Sequence, residues 1–389
     1  MLRSGLAALM TIALMAQSVN VSGEQPKPAV TEGAVTQGEF AARLVDALGW
    51  QTGLPEEPKE KDYLAILSGK RNFRFEAEDT YNAATDNVTI RSYSLYGPFS
   101  GRGWLSGVAD ATEAHFTVFI PRDGEYLLKV AAKGDGQKWS LAGRDFTVNT
   151  KGLSEAVAGT VHLRPGSHIV TAVIPPEGGV DYLAFEASAQ PAIEPLGGWR
   201  FAAPLKMGEV AEVAVALLGL ERLLPDDTSV APLLVSVADV ALFPPSAKPT
   251  TIGYLGTFLS KSWVRADFRD ARLEIPLQIK TLAAYSIRAR YLGELFSGEL
   301  DGEKLGRPGK PYLDWVELGL FRLAVGERKL IVQLPPSGGI DVVELRRKKS
   351  SPADYMTLAG FNGDPAATVD RSALDRLLLP LAARFQGRK

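Results

Sequence analysis

The sequence predicts a mainly β chain: two jelly-roll β-sandwiches, each preceded by a small α-helical unit, and a helical C-terminal tail. Three observations carry this. Residues 164–186 (RPGSHIVTAVIPPEGGVDYLAFE) recur 160 residues later as residues 324–346 (AVGERKLIVQLPPSGGIDVVELR), so the chain contains an internal duplication. Apolar residues alternate ahead of the Pro-Pro pair in both copies, which gives strand, tight turn, strand. The 38 glycines and 25 prolines punctuate short strands at the spacing of a sandwich.

Residues 1–23 read as a signal peptide. Arg3 supplies the charge, residues 5–16 (GLAALMTIALMA) the apolar stretch, and Ala16, Ser18, Ser22 and Gly23 the small residues that follow. The apolar run is short for a membrane span, and no later stretch reaches one. An exported chain is therefore expected, periplasmic, cell-surface or extracellular, with no membrane span after cleavage. Cysteine is absent, which excludes disulfides and thiolate metal sites and fits a bacterial envelope protein. The net charge of -2, with no block of like charge, argues against a nucleic-acid partner.

A polar linker (24–33) leads to the first helical unit (34–70). Thr36 is placed to cap a helix with Glu39 three residues on; Phe40, Leu44, Val45 and Leu48 form its apolar stripe, and Gly49 ends it. A second short helix covers 63–67. The first sandwich (71–188) has strands at 115–120, 126–131, 144–149, 157–163 and 167–174, with turns at 121–124, Lys151–Gly152 and 164–166. The cycle restarts with a linker and second helical unit (189–231), in which Gly208, Glu209, Leu218 and Gly219 repeat Gly38, Glu39, Leu48 and Gly49. In the second sandwich (232–348), Gly256, Phe258, Trp263 and Tyr285 repeat Gly97, Phe99, Trp104 and Tyr126. The tail (349–389) holds a third, degenerate helical copy at 370–385, which Pro380 is expected to kink or end.

Little points to catalysis. His115, His162 and His168 lack metal-ligand spacing, and there is no nucleophile elbow or phosphate loop, so the chain reads as a non-enzyme. Glu76 and Glu78 fall on one predicted strand, about 7 Å apart on the same face by strand rise. That spacing suits two oxygen ligands of Ca²⁺, with a solvated edge strand as the competing reading. Aromatic residues matter more, because a sugar ring stacks its apolar face on Trp or Tyr. Tyr93, Tyr96, Trp104 and Trp139 fall in loops or at strand ends of the first sandwich, Trp263 and Trp315 in the second. Trp104 and Trp263 are equivalent and read as core. Trp139 and Trp315 have no aromatic counterpart; ligand platform and packing both remain open for them.

Four segments, FEAED (75–79), GPFSGRGWLSG (97–107), FTVFIPRDGEYLLKVAAKGDG (116–136) and LRPGSHIVTAVIPPEGGVDYLAFE (163–186), together resemble the carbohydrate-binding modules of families 6 and 35, which are galactose-binding-like. The resemblance implies a structural Ca²⁺ near the opening Glu pair and a glycan site built from loop aromatics and an Asn in the last loop. Here that loop has no Asn and runs straight into Asp181, or Asp341 in the second copy; both are taken as ligand-binding candidates with Trp139, Trp315, Tyr93 and Tyr96. Trp315 is placed like the family's binding Trp, where the first copy has Glu155. Residues 35–50 (VTQGEFAARLVDALGW) resemble the final segment of S-layer homology domains, which implies contact with an envelope polymer. The expectation is an exported, non-catalytic cell-envelope protein that binds polysaccharide or cell-wall glycan through both sandwiches. The alternative is an envelope scaffold that contacts other envelope proteins and carries degenerate sugar sites.

Overall fold

The computed structural model describes residues 33–69, 71–187 and 192–386. The expected signal peptide and nearly all of the linker lie outside them. The first sandwich comprises β1 (Asn72–Glu76), β2 (Thr89–Arg91), β3 (Trp104–Ser106), β4 (Thr112–Ile120), β5 (Gly124–Leu141), β6 (Arg144–Leu163), β7 (Gly166–Ile174) and β8 (Gly179–Ala187). The second repeats the series as β9 (Leu233–Ser236), β10 (Ala247–Thr250), β11 (Trp263–Ala266), β12 (Ala271–Ile279), β13 (Ala283–Leu300), β14 (Glu303–Leu323), β15 (Gly326–Leu334) and β16 (Gly339–Arg347). Each is one antiparallel sheet curled on itself, in the order β2-β3-β8-β5-β7-β4 and β10-β11-β16-β13-β15-β12. The curl comes from the long strands: β5 pairs with β8 over Tyr126–Lys133 and with β7 over Lys138–Ser140. The mainly β class thus holds. The expected turn at Lys151–Gly152 does not form, because β6 runs through it as a single strand paired with β5 across register shifts.

Alternation places the core. In β4 the residues Ala114, Phe116, Val118 and Ile120 are buried and their neighbours are not. The Pro-Pro-x-Gly-Gly repeat has a packing reason. Gly178 donates its N–H to Pro175 O at 2.8 Å and Gly338 to Pro335 O at 2.9 Å, which closes the turn. A Cβ on Gly179 would lie 2.5 Å from the Trp104 ring, and one on Gly339 2.3 Å from Trp263. Only glycine lets this backbone lie on the indole face.

The helical segments, separate along the chain, share one core. Helices α1 (Gln37–Ala47) and α2 (Glu60–Leu67) come first; α3 (Ala77–Thr80) is one turn inside the first sandwich. Next come α4 (Met207–Leu217), then α5 (Val237–Val240), a turn inside the second sandwich, and finally α6 (Pro352–Ala359) and α7 (Arg371–Gln386). Phe40, Leu44, Val213, Tyr355, Leu374 and Leu378 meet in that core. Thr36 Oγ1 accepts from Glu39 N and caps α1. The lead-in segments of α1, α4 and α7 bond in a ring: Val35 N–H to Val369 O, Val369 N–H to Leu205 O, and Leu205 N–H to Val35 O. Helix α7 continues past Pro380, which is exposed. Arg122 ties the first sandwich to this body, over the Trp50 ring and onto Ile66 O. Arg322 ties the second through Glu221, whose carboxylate also accepts from Tyr355 Oη. No described helix is long and apolar enough to cross a membrane.

Candidate functional site

In the first sandwich the loop between β2 and β3 carries Tyr93 and Tyr96, 45% and 37% exposed. Both pack edge-on against Trp104, with ring centroids 5.5 and 6.1 Å away. Trp104 Nε1–H donates to Tyr93 O at 3.1 Å and fixes the loop. These rings line an open cleft of about 320 Å³ with Arg91, Lys133 and Glu177. Lys133 Nζ stands 3.5 Å from the Tyr96 centroid and donates to Glu177 O at 2.6 Å. One face of Tyr96 is therefore covered by an ammonium. Glu177 holds φ at +59°, a left-handed turn position that is strained for a residue with a side chain.

The second sandwich keeps this frame and fills the cleft. Trp263 Nε1–H donates to Ile252 O at 3.0 Å, as Trp104 does to Tyr93. Leu255 O accepts from Leu313 N at 2.7 Å, as Tyr96 O does from Leu153 N. Leu292 pairs with Gly339 where Lys133 pairs with Gly179. Tyr93, Tyr96 and Lys133 are thus replaced by Ile252, Leu255 and Leu292, which cluster with Trp263, Leu313 and Phe258.

Trp139, expected as a possible ligand platform, is 1% exposed and stacks on Phe116 at 5.9 Å inside the core. The reason lies in the other copy. Trp139 pairs with Ala172, and its counterpart Gly298 pairs with Val332. A Cβ on Gly298 would lie 3.0 Å from the ring of buried Phe296. Trp139 in one core and Phe296 in the other come from positions two residues apart, so the missing aromatic counterpart reflects compensation in packing.

Trp315 lies within β14, opposite Arg290, and is half-buried. The Arg288 guanidinium covers its ring at 4.0 Å, with Arg290 at 5.8 Å. That face is not open to a sugar. Asp181 and Asp341 are buried loop clamps and do not face the cleft. Asp181 accepts from Ser100 N and Oγ; Asp341 accepts from Leu259 N at 2.6 Å, from Ser260 N at 3.2 Å and from Ser260 Oγ.

Glu76 and Glu78 do not share a strand face. Strand β1 ends at Glu76 and the chain turns into α3. The turn still gathers both acids around one loop. Glu76 Oε2 accepts from Ser100 Oγ at 2.6 Å and Oε1 from Arg74 Nε at 3.0 Å, while Glu78 Oε1 accepts from Arg102 N at 2.6 Å. Glu78 Oε2 is buried with no partner. Burial, and then the nearby Glu76 charge, push the Asp181 carboxyl up against the pull of the Ser100 donors. Among the described residues no group of three or more His, Asp or Glu side chains is arranged so that it could hold a metal ion.

A larger cleft, about 550 Å³, lies between the helical body and the second sandwich. Much of its charge is already paired within the chain, Arg200 with Glu209 and Arg347 with Asp227, and Glu212 accepts from Leu196 N. Its lining has no aromatic side chain. The Tyr93 cleft is the better site on that ground. Spacing alone did not reveal Lys133, Arg91, Glu177 or Arg290; aligning the copies exposes Lys133 against Leu292.

No family model and no curated protein matches the chain. Among solved structures, a Podospora anserina GH26-CBM35 β-(1,4)-mannanase aligns at 16% identity over 38% of this chain and 34% of that one, TM-score 0.27. A Paenibacillus xanthan lyase aligns at 11% identity over 70% of this chain and 26% of that one, TM-score 0.28. A family 35 carbohydrate-binding module from Clostridium thermocellum aligns at 14% identity over 31% of this chain and all of that module, TM-score 0.26. The chain spans about a third of the mannanase and a quarter of the lyase. At TM-scores this low, such likenesses do not say what the chain binds.

Proposed function

We propose that the first sandwich binds a saccharide in the Tyr93–Tyr96–Trp104 cleft and that the second is its structural partner. The carrying observation is the contrast at one frame: aromatic rings, two cations and a carboxylate line an open cleft in one copy, and aliphatic side chains fill it in the other. A cleft lined by aromatic side chains with a few converging polar groups suits a sugar. Binding is through one sandwich, where two were expected. The reading includes a non-catalytic role, since the cleft holds one carboxylate and the usual glycosidic cleavage uses two. Polysaccharide or wall glycan as ligand, and a place outside the cytoplasm in the cell envelope, follow from the sequence pattern of residues 1–23 and 35–50.

The reading also includes a divalent cation, Ca²⁺ by its oxygen donors, at Glu76 and Glu78. The unpartnered, buried Glu78 Oε2 fits such an ion. Gly101 lets the loop come close, since a Cβ there would lie 2.1 Å from Glu78 Oε1. When bound, the ion would supply positive charge that holds the loop behind the cleft.

Retention on a panel of immobilised polysaccharides and wall glycans tests the sugar reading. Tyr93→Ala and Tyr96→Ala should each weaken retention roughly tenfold, about 1.4 kcal/mol, with Trp315→Ala unchanged. Retention by no glycan, or equal loss in Trp315→Ala, rejects it.

A further inference from the structure

The two sandwiches staple the same bulge in different ways, and in the first the staple holds a residue of the cleft. Strand β5 bulges between Lys133 and Gln137, where its register on β6 shifts. Gln137 is fully buried. Its Nε2 donates to Lys133 O at 2.7 Å and to Gly179 O at 3.1 Å, and these two residues pair across β5 and β8. Both contacts are carbonyls, which fixes that end of the amide as the nitrogen. Its Oε1 is then buried with no partner. The register that sets Lys133 against Leu292 and Trp139 against Gly298 makes Phe296 the counterpart of Gln137, and Tyr291 that of Ala132. There the bulge closes without an amide. Tyr291 Oη–H donates to Leu295 O at 3.0 Å, and its ring packs edge-on against Phe296 at 5.1 Å.

The frame therefore folds with rings at these places, whereas a buried acceptor without a partner works against folding. Core packing alone does not call for the glutamine. The Trp139 ring, two residues on, fills the first core and leaves the Gln137 place to a polar side chain. What the amide holds is the carbonyl of Lys133, whose ammonium lies over Tyr96 and on Glu177 O. In the filled copy that place is Leu292, which has no charge to aim. An ammonium has three donors and Glu177 O takes one, so others remain for ligand oxygens. We infer that Gln137 is a positioning residue: it holds the Lys133 backbone so that the ammonium stands over Tyr96, ready to donate to the ligand. This rests on the saccharide reading of the cleft.

Two measurements on the full chain test it: acylation by sulfo-NHS-acetate, read lysine by lysine by mass spectrometry, and retention on insoluble xylan, mannan and peptidoglycan. Gln137→Met keeps the length of the side chain and removes both donors. It should speed acylation of Lys133 several-fold and leave exposed Lys138 unchanged. Retention should fall roughly fivefold, the worth of about one hydrogen bond. In a Lys133→Met background the same change should cost no further retention, because the two residues act as a pair. Unchanged Lys133 acylation, or an equal loss of retention with and without Lys133, overturns the inference and leaves the cleft reading intact. Retention by none of the three glycans, with Lys133 acylation still raised, overturns the cleft reading for them and supports Gln137 as the holder of Lys133. Where Gln137→Met fails to fold, Ala132→Tyr with Gln137→Phe and Trp139→Gly copies the core of the second sandwich. That variant should fold, acylate faster at Lys133 and lose retention; wild-type acylation and retention in it overturn the inference.

Discussion

The two sandwiches share a frame to the level of single hydrogen bonds and differ in nearly everything that could meet a ligand. The indole N–H to loop carbonyl bond, the loop-to-strand bond from Leu153 or Leu313, the glycine under the indole and the buried clamp Asp all occur twice. Tyr93, Tyr96, Lys133 and the Glu76–Glu78 pair occur once. Duplication fixed what folding needs, and the two faces then diverged. A feature kept in both copies is therefore evidence of architecture, while a feature found in one needs a second test, because compensating core positions look single too.

Trp139 is that second test and gives the largest expected effect. It is core, so Trp139→Ala should cost about 3–5 kcal/mol of first-sandwich stability in denaturant unfolding, and Phe296→Ala should cost the second a similar amount. A Trp139→Ala protein of wild-type stability with weakened glycan retention would restore the platform reading. Next in size come the glycines under the indoles. Gly179→Ala and Gly339→Ala should each cost about 1–3 kcal/mol by overpacking, and nearly equally, because the two rings lie at nearly the same distance. Unequal costs would show that one Trp loop yields more readily.

These contrasts also separate what the residues announce from what they hide. The Pro-Pro-x-Gly-Gly turn was legible because its demand is local: a tight turn and a backbone pressed on a ring. Helix α1 was legible from its cap and stripe. The Trp139–Phe296 exchange was not, because the two rings come from strand positions two residues out of register, each in the core of its own sandwich. The Glu76–Glu78 geometry was misread because one helical turn, α3, breaks the alternation after Glu76. Arg290 was hidden by distance, its carbonyl partner being on a loop 33 residues earlier in the chain.

A smaller effect separates the copies by pH. His115 Nδ1 lies 2.9 Å from Asp86 Oδ1 and Nε2 lies 3.0 Å from Glu113. The Asp86 hydrogen bond, against some desolvation, raises the His115 pKa above its ordinary 6.5. Burial works to raise Asp86, but the His115 N–H, its ring and further donors outweigh it and hold the carboxyl below 3.8. The raised His contributes stability that is full below pH 6.5 and lost as pH rises through its folded pKa. The lowered Asp contributes stability that is lost as pH falls through its own. In the second sandwich the matching strand position is Glu274, which bonds Lys329 and Arg272 and titrates low. Raising pH from 6 to 9 should therefore lower the first unfolding midpoint slightly and leave the second unmoved, and His115→Asn should abolish the difference. A slope that survives His115→Asn would assign it elsewhere.

The smallest effect concerns the turn shared by both. Glu177 and Ser337 hold φ at +59° and +62°, so the strain belongs to the frame and not to either ligand face. Glycine there relieves roughly 1 kcal/mol of backbone strain, and the freedom it adds to the unfolded chain removes about 0.4–1 kcal/mol. Glu177→Gly and Ser337→Gly should thus both shift stability by less than about 1 kcal/mol, and by similar amounts. Their effects on retention should differ. Glu177 lines the open cleft, so its loss should alter glycan retention, whereas Ser337→Gly, on the filled copy, should leave it unchanged. Equal retention in the two variants would remove Glu177 from the site and leave the rings and cations to bind alone.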